Sequence, residues 1–548
     1  MKKYLRALSK YEVYFFYAIT LATLLPVLLY KTFPTVDGPA HLYNARLIHE
    51  LLIDNTDYLP TFFEFNRSLV PNWLGHLILS SLLFFLPALM AEKVLLAIYI
   101  ILFPISFRFL WKGLSIDGLT GSFALYFVFP FSYSFLFYYG FYNFHLGMVL
   151  LFFTVGFWIK YSKSSQIESK QLAFLILLTL LIYFSHVFVF AIFVGVIGFI
   201  SLIDFLKSPR LDFLKSLKSR FLLIAPGCIL TIFYLINTTI SPENSGNVAN
   251  LLESWSMIQS VEPARAIEYG KEGVFTKWIF ILLVVILGNL FFVRLKHFKA
   301  SLRQNSMVWG GISLGLLIVF FLVPNGPTFI KSRLLVFFFL FLILFISTQK
   351  VNVWVRVISF VLINYVNIAL LKIYIESTKS ANAITAEIIE ASQHIEPYST
   401  VLPIDDSGHW LLSHSSNYLG VNKPLVILEN YEAKTDYFPL IWNYSSLPHL
   451  HLGDTDRSPL DFPTNKANTQ SQIDYIFIMS GTDVSENRKK SETGIKDILD
   501  QYYRLTFTSG RKNIKVYKRV SSNSSTSRAD KVPDKFILAL SNAHTYCL

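Results

Sequence analysis

Asp37 lies in the run Pro34-Thr35-Val36-Asp37-Gly38-Pro39-Ala40-His41, directly after an apolar stretch at residues 14–29. A carboxylate where a chain leaves a bilayer can take a proton from a hydroxyl, because a partly dry cleft tunes its basicity. Pro39 suits the first turn of a helix, and Leu42, Ala45, Ile48 and Leu52 recur at helical spacing. The spacing predicts a short amphipathic helix over 41–53, lying along the membrane surface with Arg46, His49 and Glu50 turned away from it. Asp37 then sits at the positive end of that helix, and His41, one turn on, is placed to meet a substrate or a phosphate. The same position also suits a helix N-cap, which needs no chemistry.

Arg333 opens an apolar run at 334–346, just after Lys331 and the Pro- and Gly-rich 324–327. A guanidinium at the end of a membrane span can clamp a phosphate with paired donors, or can reach the interface as a snorkelling side chain. The run Tyr138-Tyr139-Gly140-Phe141-Tyr142-Asn143-Phe144-His145 combines aromatic faces, which stack on sugars, with two polar groups, Asn143 and His145. An interfacial aromatic belt has the same composition. His186, beside Ser185, interrupts an otherwise apolar tract; it reads as a core histidine or as an intramembrane site. Further on, Asp405-Asp406-Ser407-Gly408-His409-Trp410, with His414, could hold an acceptor or simply form a capped turn. Asp54-Asn55-Thr56-Asp57 reads as a solvated turn, so no metal ligand is assigned.

The elements that must position these groups are membrane helices. Of 548 residues, 53% are hydrophobic and 16% aromatic, with only 15% charged, and several runs approach the roughly 20 apolar residues that cross a bilayer. The net charge of +12 is gathered in short loops, 204–220 and 294–305 among them, which is the positive-inside pattern and requires no nucleic acid. Two cysteines, Cys228 and Cys547, make neither a disulfide framework nor a metal spacing. The basic amino terminus and the long apolar stretch behind it read as an uncleaved first span with a cytoplasmic start. No P-loop, GxGxxG or HExxH occurs, which removes support for nucleotide-driven transport and metalloprotease chemistry.

Together with the first stretch at 14–29, apolar runs at 73–89, 94–109, 119–160, 171–203, 221–236, 278–293, 308–323, 334–346 and 353–373 give about 11–13 spans. The tract 119–160 reads as two spans and 171–203 as one long, tilted or broken helix. The expected fold is mainly α: a polytopic bundle over residues 1–375, with a first external loop at 32–72. An extracytoplasmic α/β domain follows at 376–520, and a flexible tail at 521–548. Within the α/β domain, strands are expected at 400–403, 425–428 and 475–479, helices at 384–395 and 495–503, and a hairpin over 505–520 turning near Gly510.

Asp37 shortly after the first span, with this layout, resembles the GT-C glycosyltransferases, polytopic enzymes that use lipid-phosphate-linked sugars. The resemblance implies an inverting transfer from a polyprenyl-phosphate sugar to an extracytoplasmic glycan, lipid or protein acceptor. Asp37 would be the general base. Arg333 and Lys331 would stabilise the leaving phosphate, and His41, Tyr139, Asn143, His145, His186 and His409 would contact substrate or phosphate. Asp37 and Arg333 are then expected to serve one cavity. Some members of that family bind a divalent cation through carboxylates from separate loops, but no DxD-type pair stands beside Asp37. A bacterial inner membrane suits the composition. Two other classes share these features: a transporter or flippase of lipid-linked saccharides, which needs polar groups near mid-membrane, and a non-catalytic scaffold of the same fold.

Overall fold

The computed structural model describes residues 2–53, 57–114, 121–162, 167–207, 210–237, 251–295, 307–324, 329–435, 437–447, 452–453, 459–460, 473–480, 499–500 and 502–520. The turn at 54–57, residues 240–250, most of the basic loop 294–305, most of the expected 495–503 helix and the tail at 521–548 lie wholly or largely outside the described residues.

Eight helices among the described residues are long and apolar enough to cross a membrane, which makes the chain a polytopic membrane protein. They are Tyr11–Leu28, Ala88–Gly113, Tyr142–Tyr161, Val187–Leu206, Leu217–Asn237, Tyr269–Phe292, Ile330–Ser347 and Val353–Ser392. Three shorter apolar helices accompany them, Ser122–Tyr138, Ser169–Ser185 and Met307–Leu322.

Two sequence expectations change here, and for the tract 171–203 the broken alternative is the one found. The run at 73–89 is not a span: a nine-residue helix, Leu74–Leu82, gives way to turns over Leu83–Leu86 before the helix Ala88–Gly113 begins. At 1.5 Å per residue such a helix is less than half a bilayer long. The tract 171–203 forms two helices, broken where His186 adopts an extended conformation. The expected span at 353–373 and helix at 384–395 are one 40-residue helix, Val353–Ser392. Its polar middle interrupts the apolar pattern but contains no proline to stop the helix.

The chain divides into two compact units, residues 1–29 with 96–378, and residues 30–95 with 379–548. The first unit holds most of the apolar helices. In it Arg108 makes a bidentate pair with Glu12, at 2.8 and 2.7 Å, and also lies 4.5 Å from the Phe16 ring centroid. That pair ties the first helix to Ala88–Gly113 with fork geometry that a lysine could not supply.

The second unit joins the first loop to the carboxy-terminal domain. Its strands are β1 (Phe63–Phe65), β2 (Ser399–Asp406), β3 (Leu425–Ile427), β4 (Leu440–Trp442), β5 (Leu452–Gly453), β6 (Pro459–Leu460), β7 (Tyr475–Ser480), β8 (Tyr503–Thr508) and β9 (Ile514–Arg519). The main sheet has the order β3-β2-β7-β9-β8, with β2 parallel to β3 and β7 and the last two pairings antiparallel. Val401, Tyr475, Ile476 and Phe477 are buried, as central strands covered on both faces require. The expected 505–520 hairpin is β8–β9, and the three predicted strands are β2, β3 and β7. A smaller antiparallel pair, β1–β4, sets Phe63 against Trp442 with rings stacked at 4.5 Å, so the first loop contributes a strand to this unit.

The helix expected at 41–53 exists as Gly38–Ile53, but it is not a half-exposed surface helix. Every residue from Gly38 to Glu50 except Arg46 is buried. Its polar side is covered by the carboxy-terminal part of the unit: Asn44 and Asn430 exchange amide hydrogen bonds at 2.9 and 2.8 Å. The Tyr43 hydroxyl donates to Leu425 O at 2.7 Å and accepts from Ile427 N at 3.0 Å. An amphipathic pattern marks the buried stripe of a helix but cannot show that a distant segment will cover the other face.

Candidate functional site

Asp37 precedes the first residue of the Gly38–Ile53 helix, and its backbone carbonyl accepts from His41 N at 3.0 Å, so the helix starts on it. Its carboxylate is buried, with 7% of the residue exposed. His414 presents Nε2 3.8 Å from Asp37 Oδ1. The other nitrogen of that ring, Nδ1, is bound to Glu429 Oε1. Glu429 is itself fixed, since its Oε2 accepts from Ser416 Oγ and Asn417 Nδ2, both at 2.7 Å. The Tyr431 ring packs on His414 at 4.4 Å between centroids. Burial pushes the Asp37 carboxyl up to about 6, opposed by the charges of His414 and His41, reinforced by Glu432, and offset again by a hydrogen bond from Tyr431.

A second group of buried residues lies in the same unit. His41 Nδ1 is 2.6 Å from Glu432 Oε1, and His76 Nε2 is 2.7 Å from Glu432 Oε2. The two imidazole rings meet edge to face at 5.2 Å, and the Phe438 ring lies 5.9 and 5.6 Å from them. His76 also places Nδ1 3.2 Å from Asn72 O. Burial acts to raise the Glu432 carboxyl, but the adjacent His41 and His76 outweigh it and hold it down at about 2. One atom from each of the three residues lies within 4.8 Å of the others, close enough to share a cation.

In the first unit, Arg333 stands in the first turn of Ile330–Ser347. Its Nη1 donates to His186 Nε2 at 3.2 Å, and its guanidinium carbon lies 4.7 Å from the Phe141 ring centroid and 5.6 Å from that of Phe144. Two sequence candidates, Arg333 and His186, are therefore brought together, within the aromatic segment also singled out. Lys331 is buried; its ammonium donates to Ser254 Oγ at 2.8 Å and lies 4.9 Å from the Phe320 ring centroid. His145 is fully buried and satisfied by Ser134 Oγ at 3.0 Å and Phe141 O at 2.8 Å. Tyr139 packs on Phe329 at 4.7 Å, and Asn143 is buried in the first turn of Tyr142–Tyr161. The same unit contains an apolar cavity of about 280 Å³, lined by Phe15, Tyr133, Asn364, Asn367 and Tyr374 among others.

His409 is exposed beyond the end of β2. Of the 405–414 group it is His414 that reaches Asp37. Sequence reasoning did not find His76, Glu429 or Glu432. His76 is 35 residues from His41 and Glu432 is 391, and no local pattern links them.

No family model matches the chain, and no curated protein matches it. Among solved structures it is similar to the archaeal oligosaccharyltransferase AglB from Archaeoglobus fulgidus, determined in complex with an inhibitory peptide and a dolichol-phosphate. The two share 12% identity over 94% of this chain and 75% of that one, with a TM-score of 0.41.

Proposed function

We propose that this polytopic protein is a glycosyltransferase of GT-C type, moving a sugar from a polyprenyl-phosphate donor to an extracytoplasmic acceptor. The observation that carries the reading is the buried Asp37 carboxylate at the head of the Gly38–Ile53 helix, faced by His414 on a fixed Glu429. In the reaction, an acceptor hydroxyl oxygen attacks the anomeric carbon and passes its proton to Asp37. The bond from that carbon to the phosphate oxygen breaks on the opposite side, and its electron pair leaves with the polyprenyl phosphate, inverting the configuration. The cationic Arg333 neutralises that phosphate. Lys331, already hydrogen-bonded to Ser254, has the lesser part. The apolar cavity in the first unit is of a kind that accommodates part of a prenyl chain.

The test uses membranes containing the full chain, supplied with a polyprenyl-phosphate sugar labelled in the sugar. Transfer of label from the lipid phase to envelope material, absent from membranes containing Asp37→Asn at equal abundance, is the expected result. Full transfer by a well-expressed Asp37→Asn protein would remove the base assignment and move the scaffold and transporter readings forward.

A further inference from the structure

We infer that His41, His76 and Glu432 form a binding site for a zinc-like divalent cation, which clips the first loop to the carboxy-terminal domain. His41 and Glu432 also act on the Asp37 carboxyl, but the site is tested without any turnover, so its failure and that of the transferase reading are distinguishable.

The three ligands come from three elements. His41 is on the Gly38–Ile53 helix, His76 on Leu74–Leu82, and Glu432 opens the 3-10 turn Glu432–Lys434. They are 5%, 1% and 1% exposed, so solvent screens them little and each must be satisfied within the fold. The ligand atoms His41 Nδ1, His76 Nε2 and a Glu432 oxygen converge within 4.8 Å of one another.

Both ring nitrogens of His76 face acceptors, Nδ1 with Asn72 O at 3.2 Å and Nε2 with Glu432 Oε2 at 2.7 Å. A neutral imidazole has one proton for these two acceptors, and a cation shared by Nε2 and Glu432 leaves that proton for Asn72 O. A histidine whose far N–H is held by a backbone carbonyl is the usual arrangement of a metal ligand, because it fixes both the tautomer and the ring plane.

The donor set indicates which cation. Two imidazole nitrogens with one carboxylate suit zinc and its first-row neighbours, whereas magnesium and calcium take oxygen ligands. Three protein ligands leave one tetrahedral position open for water or a substrate oxygen. This nitrogen-rich site differs in chemistry from the carboxylate-only cation sites weighed from the sequence. The Phe438 ring beside both imidazoles restricts access of water to the ion.

The experiment takes the full chain, purified in detergent without a polyhistidine tag and with no metal added. Elemental analysis should find about one zinc-like ion per chain. After removal of metal with a chelator, the melting temperature should fall and should recover on addition of zinc chloride but not magnesium chloride. Cobalt chloride should give the visible absorption bands of a tetrahedral nitrogen–oxygen site. Glu432→Gln and His76→Gln should each weaken zinc binding by about tenfold or more. Protein that is metal-free as isolated and melts identically with and without zinc would overturn the site and leave the two histidines as hydrogen-bond partners of Glu432. Zinc retained undiminished by both variants would also overturn it, by locating the ion elsewhere. The wild-type measurements stand even if a variant fails to fold.

Discussion

Asp37 and His414 face each other at 3.8 Å, a separation at which their charges interact but which is too long for a hydrogen bond. His414 is held from behind by Glu429, so the imidazole is oriented toward the carboxylate without closing it off. Asp37→Asn should lower transfer by about a thousandfold or more, the scale of losing a positioned base. His414→Gln should lower kcat by about tenfold with little change in KM, since it acts through Asp37. Glu429→Gln should reproduce the His414→Gln effect, and the double variant should be no worse than either alone. Additive losses in the double variant would separate the two residues and show that Glu429 does not act through His414.

Tyr43 makes a different kind of prediction, one of stability. Its hydroxyl satisfies both Leu425 O and Ile427 N, and the residue is fully buried. Tyr43→Phe leaves a buried carbonyl and a buried amide without that partner, at a cost of about 2–3 kcal/mol. Gly420 packs against the same ring, where an added Cβ would lie 2.5 Å from Tyr43 Cε2. Gly420→Ala should therefore also destabilise, and Gly420→Ala in a Tyr43→Phe background should not recover stability, because the ring remains. Melting temperatures of the three proteins in detergent check this, and an unchanged Tyr43→Phe curve would remove the hydroxyl from the packing argument.

These two sites mark what the sequence makes legible. The helix behind Asp37 could be read because the signal is local: a turn, a proline and an apolar spacing within about five helical turns. The strands β2, β3 and β7 could be read because continuous apolar runs are what a buried parallel strand requires. Glu432 and His76 could not, because they meet from 356 positions apart, and Glu429 could not, because its partners His414, Ser416 and Asn417 follow no helical or strand spacing to it. The reading of 73–89 as a span failed for a related reason, since apolar content alone does not register the break between Leu82 and Ala88. His186 was visible as an interruption, but only the fold shows that it meets Arg333.

Asp405 gives a pH-dependent prediction. Burial raises its carboxyl to about 6, against hydrogen bonds from Ser407 and with reinforcement from Glu429 and Asp406. A folded value above the unfolded one means the fold favours the protonated form. That contribution is fully present below the unfolded pKa, near 4, and is lost as pH rises through about 6. Asp405→Asn keeps an oxygen for Ser407 N, which donates at 2.8 Å, and removes the ionisation. The variant should be more stable than wild type at pH 8, by about 1 kcal/mol after allowing for the part of the side chain that meets solvent, and equal to it at pH 4. Melting curves across that range decide it, and a gain that persists at pH 4 would exclude ionisation as the cause.

The side of the membrane reached by the carboxy-terminal domain is a prediction from the basic residues Lys350 and Arg356 at the start of the helix Val353–Ser392. If they mark a cytoplasmic end, the domain lies outside. Val520 is exposed and follows β9. A Val520→Cys protein, with Cys228 and Cys547 replaced by serine, should react with a membrane-impermeant maleimide in intact cells. Labelling only after permeabilisation would reverse the orientation.

Arg333 carries the last prediction. The guanidinium lies over the Phe141 and Phe144 rings and donates to His186, so a cation is held in the first turn of a membrane helix by aromatic faces and an imidazole. A charge in that setting is costly to keep unless it serves a ligand or a partner. If it serves the leaving phosphate, it acts on the bound donor and on the transition state alike, because the phosphate is negative in both. Arg333→Ala should then raise KM for the lipid-linked donor and lower kcat together. Arg333→Lys should recover part of the KM effect, since charge is retained, but less of kcat, since the paired donors are lost. His186→Gln keeps an acceptor for Arg333 and should cost less than either. The measurement is donor-dependent initial rate in membranes with equal protein abundance. Unchanged KM and kcat in a stable Arg333→Ala protein would assign the guanidinium to packing between Phe141 and His186 alone.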